Sequence, residues 1–392
     1  MTPPSTAAEV ETAAREVVGR HDPGTVPRAE LFGALYDAGL AWVHHPVGLG
    51  GLGLSRGLQT VVDGVVTDAG GDRMFAVNPI GYGMGAPTVV EYCADRELVA
   101  RWLRPLATGE EIWCQLFSEP GAGSDVAGLT TSAVPDGDGW VINGQKVWTT
   151  LAHVARWGML VARTDPDLPK HRGLTYFVID MTQPGVEVRP LRQMTGQAEF
   201  NEVYLHDARV LDAHRLGDVG AGWRVAITTL MNERTAIGGV TGRRSSGVIG
   251  EALGLWRANP DRQTAVLRDR LARLWTRAET HRLTLVRAGR TATEGRPGPE
   301  GSVSKLVGAE LNQDVYEFCM DLLGPDALLY DDYEIRPDPG STLQQRFLRS
   351  RANTIEGGTS EVMRNILGER VLGLPGEPRS DSDRPWKEVP RG

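Results

Sequence analysis

Apolar residues recur at helical spacing from residue 7 to about residue 113: Val10, Ala14, Val17 and Val18, then Leu31 and Leu35, then Leu58, Val61, Val62, Val65 and Val66. Steps of three and four place each set on one face, as in amphipathic helices that lay one side against a core. "HDPG", "GLGGLGL" and "AGGDR" interrupt the period and mark turns. Near residue 114 the pattern changes. "DGDGWVINGQKVWTT" carries Val, Ile and Trp in two short runs around Asn143-Gly144. Asn-Gly supplies the two positive-φ positions of a type I′ turn, so a hairpin turning there is expected. "WGMLVART", "LTYFVIDM" and "VEVRPL" continue as strands, and "FNEVYLHDARV" closes a β unit of about 100 residues. From "GAGWRVAITTLMNER" the helical period returns and lasts to about residue 373. The last helix carries Val362, Ile366 and Val371 on one side, with Thr359 or Ser360 to cap its start and Gly373 with Pro375 to end it. The final 17 residues, "GEPRSDSDRPWKEVPRG", are polar and Pro-rich and read as a flexible tail. No internal repeat is found.

At 392 residues, the chain is long enough for two or three structural units. Its 41% hydrophobic and 23% charged content is that of an ordinary globular protein. The net charge of -8 argues against a nucleic-acid or anionic-membrane surface, either of which wants a basic stripe. The 42 basic residues include four lysines, Lys146, Lys170, Lys305 and Lys387, leaving 38 arginines. Cys93, Cys114 and Cys319 lie far apart with no metal or redox spacing, which suits a reduced cytoplasm. No apolar run has the length of a signal peptide core or a membrane span. A cytoplasmic protein is expected.

Several motifs can be set aside. "GLGGLG", residues 48–53, has the spacing of a dinucleotide fingerprint but no surrounding βαβ unit, so it reads as an interhelical turn. The eight histidines show no metal-ligand spacing. Ser124 in "GAGSD" lacks the Gly-x-Ser-x-Gly frame of a nucleophile elbow. "LFSEPGAGSDVAG", residues 116–128, is more informative, because Gly121 and Gly123 free the backbone to approach a ligand closely. Some 25 residues later "VWTT" offers the Trp148 indole beside Thr149 and Thr150. An indole plane with adjacent hydroxyls and amides suits a flat heteroaromatic cofactor with hydrogen-bonding edges. Composition alone leaves a structural loop as open a reading as a binding site.

"SEPGAGSD", "NGQKVWTT", "FNEVYLHDARV", "GAGWRVAITTLMNER" and "EGGTSEVMRNILGERVLGLP", in that order, resemble the acyl-CoA dehydrogenase family, over about residues 25 to 375. The likeness is greatest to the actinobacterial branch that handles steroid side chains and other bulky acyl groups. It implies an α+β fold: a helical N-terminal domain over 1–113, a β-barrel-like middle domain over 114–220, and a C-terminal four-helix bundle over 221–375, with the tail at 376–392. It also implies FAD as cofactor and α,β-dehydrogenation of an acyl thioester, carried on CoA or an acyl carrier protein. An electron-transfer flavoprotein would be the acceptor, and the chain would form a homo- or hetero-oligomer. Carried over by motif, Gln115, Phe117 and Ser118 line the flavin, with the Ser118 hydroxyl near its reactive N5 edge. Trp148, Thr149 and Thr150 cover the opposite side. Ser124 meets the pantetheine or phosphate part of the substrate, Arg234 contacts the substrate, and the Gly357 N–H donates to the thioester carbonyl.

The base is a choice between two glutamates. In the commonest family pattern it directly precedes a Gly-Thr pair, but here Gly357 precedes Gly358-Thr359 and Glu356 lies one position too early. Adjacent positions in a turn or helix point about 100° or more apart, so the offset matters. A second family pattern places the base on the first long helix after the β domain, immediately before an arginine. Glu233-Arg234 in "LMNERTAIGG" stands there, and Glu233 is the expected base. Glu356 is then an exposed or capping carboxylate beside a helix start. Two family features are missing. "LWRANPDRQTAVLRDRLARL" replaces the Arg-x-x-Phe-Gly segment by which one subunit holds its neighbour's FAD pyrophosphate. "DLLGPDALL" puts Asp321 where a glutamine normally stands. These departures make a hetero-oligomer whose partner supplies the contacts an alternative, along with a non-catalytic subunit or a flavin oxidase of the same fold.

Overall fold

The computed structural model describes residues 4–238, 242–291, 301–329, 342–378, 381 and 383–389, without the side chains of 233–238 and 289–291. Six helices come first: α1 (Ala7–Arg20), α2 (Arg28–Asp37), α3 (Gln59–Asp68), α4 (Met74–Val77), α5 (Ala86–Tyr92) and α6 (Arg96–Thr108). Eight strands follow: β1 (Ile112–Leu116), β2 (Ser132–Asp136), β3 (Gly139–Thr150), β4 (Ala155–Arg163), β5 (Leu174–Asp180), β6 (Val186–Leu191), β7 (Phe200–Leu211) and β8 (Arg215–Leu216). The chain then returns to helix: α7 (Gly222–Gly238), α8 (Val248–Ala258), α9 (Ala265–Thr291), α10 (Gly301–Leu323), α11 (Leu343–Ser350) and α12 (Ser360–Ile366). The order expected from the sequence, helices, then a β region, then helices, is the one found. By contacts the chain divides into two compact units, Met1–Leu191 with Ala198–Glu233 and Arg379–Gly392, and Arg192–Gln197 with Arg234–Pro378.

In the first unit the strands form one eight-stranded sheet in the order β6-β7-β3-β2-β4-β5-β8, with β1 parallel beside β4. Side chains alternate between faces along a strand, and both faces here are covered. Trp113, Met159, Val161, Tyr176 and Val178 join Leu31, Leu35, Val62, Trp102 and Leu103 of the N-terminal helices in one core. Cys114, Leu116, Leu160, Phe177 and Ile179, each one residue out of step, build a second core on the other face with Ile142, Val203 and Leu205. This double burial explains why β4 and β5 read as nearly unbroken apolar runs.

The glycine run between α2 and α3 is a tight turn, with Gly48, Gly50 and Gly53 at positive φ. A Cβ on Gly51 would sit 2.2 Å from the His45 carbonyl oxygen. Gly51→Ala is therefore expected to cost at least roughly 1–3 kcal/mol, as overpacking does, visible as a lower thermal midpoint.

Two sequence expectations need correction. The hairpin does not turn at Asn143-Gly144; β3 runs straight through both, and the two-residue turn is Gly137-Asp138, between paired Asp136 and Gly139. Asn143 instead sits at a β-bulge against β7, where its amide donates to Asp207 Oδ1 at 2.9 Å and its oxygen accepts from the Asp207 N–H at 3.0 Å. Gly144 is small for a steric reason, since a Cβ would lie 2.4 Å from Thr131 Oγ1. The C-terminal segment is also more than a polar tail. Asp381 and residues 383–389 carry ion pairs and backbone hydrogen bonds to the β unit, anchored by Trp386. Averaged over 17 residues, the composition conceals that anchor.

In the second unit Leu311, Val315, Phe318, Cys319 and Leu322 recur at helical spacing along α10 and pack on Ile249 and Ala252 of α8 and Leu271 and Leu274 of α9. Thr359 caps α12, accepting from the Val362 N–H at 3.1 Å. The three cysteines are free and buried. Among the described residues no cluster of metal-binding side chains occurs, and no helix is long and apolar enough to cross a membrane.

Candidate functional site

The loop singled out in the sequence begins where β1 ends and runs alongside β3. Val147 N–H donates to the Ser118 carbonyl at 2.9 Å, which lays Phe117–Glu119 beside Lys146–Trp148. Glu119 and Ala122 then exchange two backbone hydrogen bonds at 3.0 Å, closing a turn over Pro120-Gly121. A Cβ on Gly121 or Gly123 would meet nothing within 4 Å. Their lack of side chains thus answers no packing need of the chain itself and leaves the loop backbone open to a ligand. Ser124 is exposed on the same loop.

Beneath the loop lies an ion pair that sequence reading missed. Lys146 Nζ donates to Glu119 Oε1 at 2.9 Å, to the Phe117 carbonyl at 3.1 Å and to the Val161 carbonyl at 3.0 Å. These three acceptors use all three N–H donors of the ammonium. The side chains are 0% and 3% exposed. Glu119 also accepts from the backbone and hydroxyl of both Thr130 and Thr131, at 2.5 to 2.9 Å. Burial pushes the Glu119 carboxyl up, but the Lys146 ammonium and the threonine hydrogen bonds outweigh it and hold it at about 2. The available signal was a lysine within the apolar run of a strand, since a charge buried there needs a partner.

Trp148 and the threonines stand at the far end of β3. The pairing of β3 with β7 slips between Lys146 and Thr149, a bulge that puts Trp148 at φ 60°. Its indole remains 58% exposed, meeting Phe200 edge-on at 6.0 Å. A non-glycine residue in that conformation costs on the order of 1–3 kcal/mol and tends to mark a functional site. Thr149 Oγ1 and, on β1, Gln115 Nε2 are buried with no hydrogen-bond partner among the described residues. Thr150 ends the strand opposite Phe200. Phe117 is buried, its ring edge-on to Tyr176 at 5.8 Å.

Glu233 and Arg234 lie on α7, but their side chains fall outside the described residues. One turn before Glu233, the Thr229 hydroxyl donates to the Val225 carbonyl at 3.1 Å and meets the hydroxyls of Thr88 at 3.0 Å and Tyr176 at 3.1 Å. Tyr92 and Thr228 pair at 2.9 Å. These buried hydroxyls fix the register of α7 against α5 and β5, another feature no local motif announces.

In the second unit the turn at Gly357-Gly358 has φ values of 62° and 97°. Lys305 Nζ donates to the Asn353 carbonyl at 2.8 Å and to the Gly358 carbonyl, while Gln313 holds the Ser350 carbonyl at 3.1 Å and Thr354 Oγ1 at 3.0 Å. Glu356 takes part in this clamp and does not cap α12. Arg349 donates to its two oxygens at 3.0 and 2.8 Å, and Asn353 Nδ2 to one of them at 2.8 Å. The two segments that depart from the family pattern are joined to each other: Arg270 pairs with Asp321, and Arg262 with Asp326 and the Leu323 carbonyl.

Family comparisons cover most of the chain. The acyl-CoA dehydrogenase middle domain matches residues 114–208, and the acyl-CoA dehydrogenase C-terminal domain matches residues 220–372. The chain is 40% identical over 373 residues to the acyl-CoA dehydrogenase FadE34 of Mycobacterium tuberculosis, covering 94% of this chain but only 48% of that longer protein. It is 38% identical over 344 residues to the acyl-CoA dehydrogenase IpdE1 of the same organism, covering 87% and 86% of the two chains. Among solved structures, the Tcur3481-Tcur3483 steroid ACAD superposes with a TM-score of 0.74 at 26% identity, over 96% of this chain and all of the other (100%). The order of motifs, the helix-sheet-helix architecture and this similarity agree: the chain belongs to the acyl-CoA dehydrogenase family.

Proposed function

We propose that the protein binds FAD and dehydrogenates an acyl thioester at its α,β carbons, with a long, branched or bulky, steroid-type acyl group. The observation that carries this reading is local: two of the buried polar atoms without a partner among the described residues, Gln115 Nε2 and Thr149 Oγ1, lie on β1 and β3, and β3 also presents the strained, exposed Trp148. A flat ring system with hydrogen-bonding edges satisfies such atoms and covers such an indole. Bound FAD would supply the hydride acceptor. Gln115, Phe117, Ser118, Trp148, Thr149 and Thr150 are the residues that would hold it. Gly357 N–H donates to the thioester carbonyl, acidifying the α-C–H, and Glu233 takes the α-proton. Ser124 and Arg234 contact the substrate, and an electron-transfer flavoprotein is the acceptor the family resemblance implies. The steroid character of the structural neighbour supports the bulky acyl group.

The test is direct. The purified chain, alone or with its partner, should be yellow, release FAD on denaturation, and be reduced anaerobically by members of an acyl-CoA panel that includes steroid side-chain thioesters. A colourless protein that takes up no FAD on reconstitution, in either form, overturns the reading.

A specific observation favours assembly with a second, related chain. Arg270 and Arg262, in the segment that would reach a neighbour's pyrophosphate, are neutralised by Asp321 and Asp326. FadE34, only 48% of which is covered here, has room for a second domain set in one polypeptide. On this reading the pyrophosphate contacts come from the partner, and FAD content should rise on co-expression.

A further inference from the structure

The C-terminal segment lies beyond the residues matched by the family domains, yet it reaches the ligand loop. Pro385 bridges to Pro169, the Trp386 N–H donates to the Leu168 carbonyl at 2.9 Å, and the Lys387 N–H donates to the Pro166 carbonyl at 3.1 Å. Trp386 Nε1 donates to the Gly128 carbonyl at 3.2 Å, within the loop. Under the indole lies Arg163, its guanidinium carbon 4.1 Å from the ring centre. Arg163 is only 4% exposed. Its Nη2 donates to the Ala127 carbonyl at 2.7 Å, its Nε to the Leu129 carbonyl at 3.2 Å, and its Nη1 to the Lys170 carbonyl at 3.3 Å. Lys170 pairs with Asp125 at 2.8 Å and with Asp381 at 2.6 Å. Asp125, Ala127, Gly128 and Leu129, the arm of the loop that follows Ser124, are thus each held by a group of the C-terminal segment or by a side chain engaged with it.

We propose that Asp381 and residues 383–389 form a clasp on the ligand loop. Trp386, acting through Arg163, and Asp381, acting through Lys170, are positioning residues that set how tightly the site holds its thioester. This rests on the reading of residues 116–128 as the ligand loop. An arm that is free to open must be ordered each time ligand binds, which weakens binding without touching the reacting atoms. The signature is a rise in KM at nearly constant kcat.

The experiment compares the full chain with W386A, W386F and D381N, each loaded with FAD and with any partner it requires. Hydrogen exchange at amides 121–129 should quicken by at least about tenfold in W386A, as expected when local opening becomes easier. W386F, which keeps a ring over Arg163, should stay closer to wild type. KM for the CoA thioester turned over fastest by wild type should rise about tenfold in W386A while kcat changes by less than about threefold. Unchanged loop exchange in W386A overturns the clasp. Faster exchange with an unchanged KM overturns its role in binding. Faster exchange across the whole β sheet marks general destabilisation and also overturns it. If wild type reduces no flavin with any thioester, the proposed function fails, and the exchange measurement alone then decides whether the clasp exists.

Discussion

Glu233→Gln is expected to keep FAD and bind substrate, yet to lose at least about 100- to 10,000-fold in the rate of thioester-dependent flavin reduction, the usual worth of general-base catalysis. Glutamine preserves the shape of the side chain and removes its ability to accept a proton. Glu356→Gln should change the same rate by less than about tenfold, under about 1.4 kcal/mol in the barrier. The structure bears on the Glu356 half of that contrast. Both Glu356 oxygens are occupied by Arg349, and one also by Asn353, so this carboxylate already has a task in holding the turn. Anaerobic stopped-flow reduction of the two variants, with FAD content measured alongside, is the check. A slow Glu356→Gln beside a fast Glu233→Gln would return the base to the glycine turn.

The second large effect concerns stability. Lys146→Met should destabilise the first unit by about 3–5 kcal/mol, the cost of leaving one member of a buried ion pair without its partner. Glu119 would keep its threonine hydrogen bonds but lose its compensating charge. Replacing both residues, as in Glu119→Leu with Lys146→Met, should recover part of the loss, because a well-packed apolar pair avoids the desolvation of two charges. Thermal or denaturant unfolding of wild type, single and double variants measures it. The pair also predicts an acid limb. Since the folded carboxyl is held at about 2, below its ordinary 4.5, its contribution is full above about pH 4.5 and fades as the pH falls towards 2. A single variant as stable as wild type would remove the pair from the account of the loop's support.

What could be read in advance depended on whether a feature is local. Helical spacing such as Val10, Ala14 and Val17, and apolar runs such as "LTYFVIDM", announce their elements because burial of one face or two imposes the pattern directly. The loop at residues 116–128 was legible as a candidate for a different reason, two glycines whose missing side chains answer no packing need of the chain. Asn143-Gly144 misled because its turn chemistry served a bulge, while the actual turn used Gly137-Asp138 a few residues earlier. The Lys146–Glu119 pair spans 27 positions and the Trp386–Gly128 contact spans 258, and no local rule couples such residues. Trp148 was legible as a candidate; the strain that distinguishes it belongs to its backbone and was not.

The four lysines, scarce against 38 arginines, all have tasks in the fold. Lys146 is sealed in the β unit, Lys305 is half-buried over the glycine turn, and Lys170 is 14% exposed between two aspartates. Lys387, 55% exposed although paired with Asp167, presents the most accessible lysine side chain. Among lysine side chains, amine-directed conjugation is therefore focused here on the C-terminal segment. A dye or resin coupled in that way would be attached to the clasp, and an immobilised or labelled preparation would carry its perturbation beside the ligand loop. Thiol tags at an introduced, exposed cysteine avoid this, since Cys93, Cys114 and Cys319 are all buried.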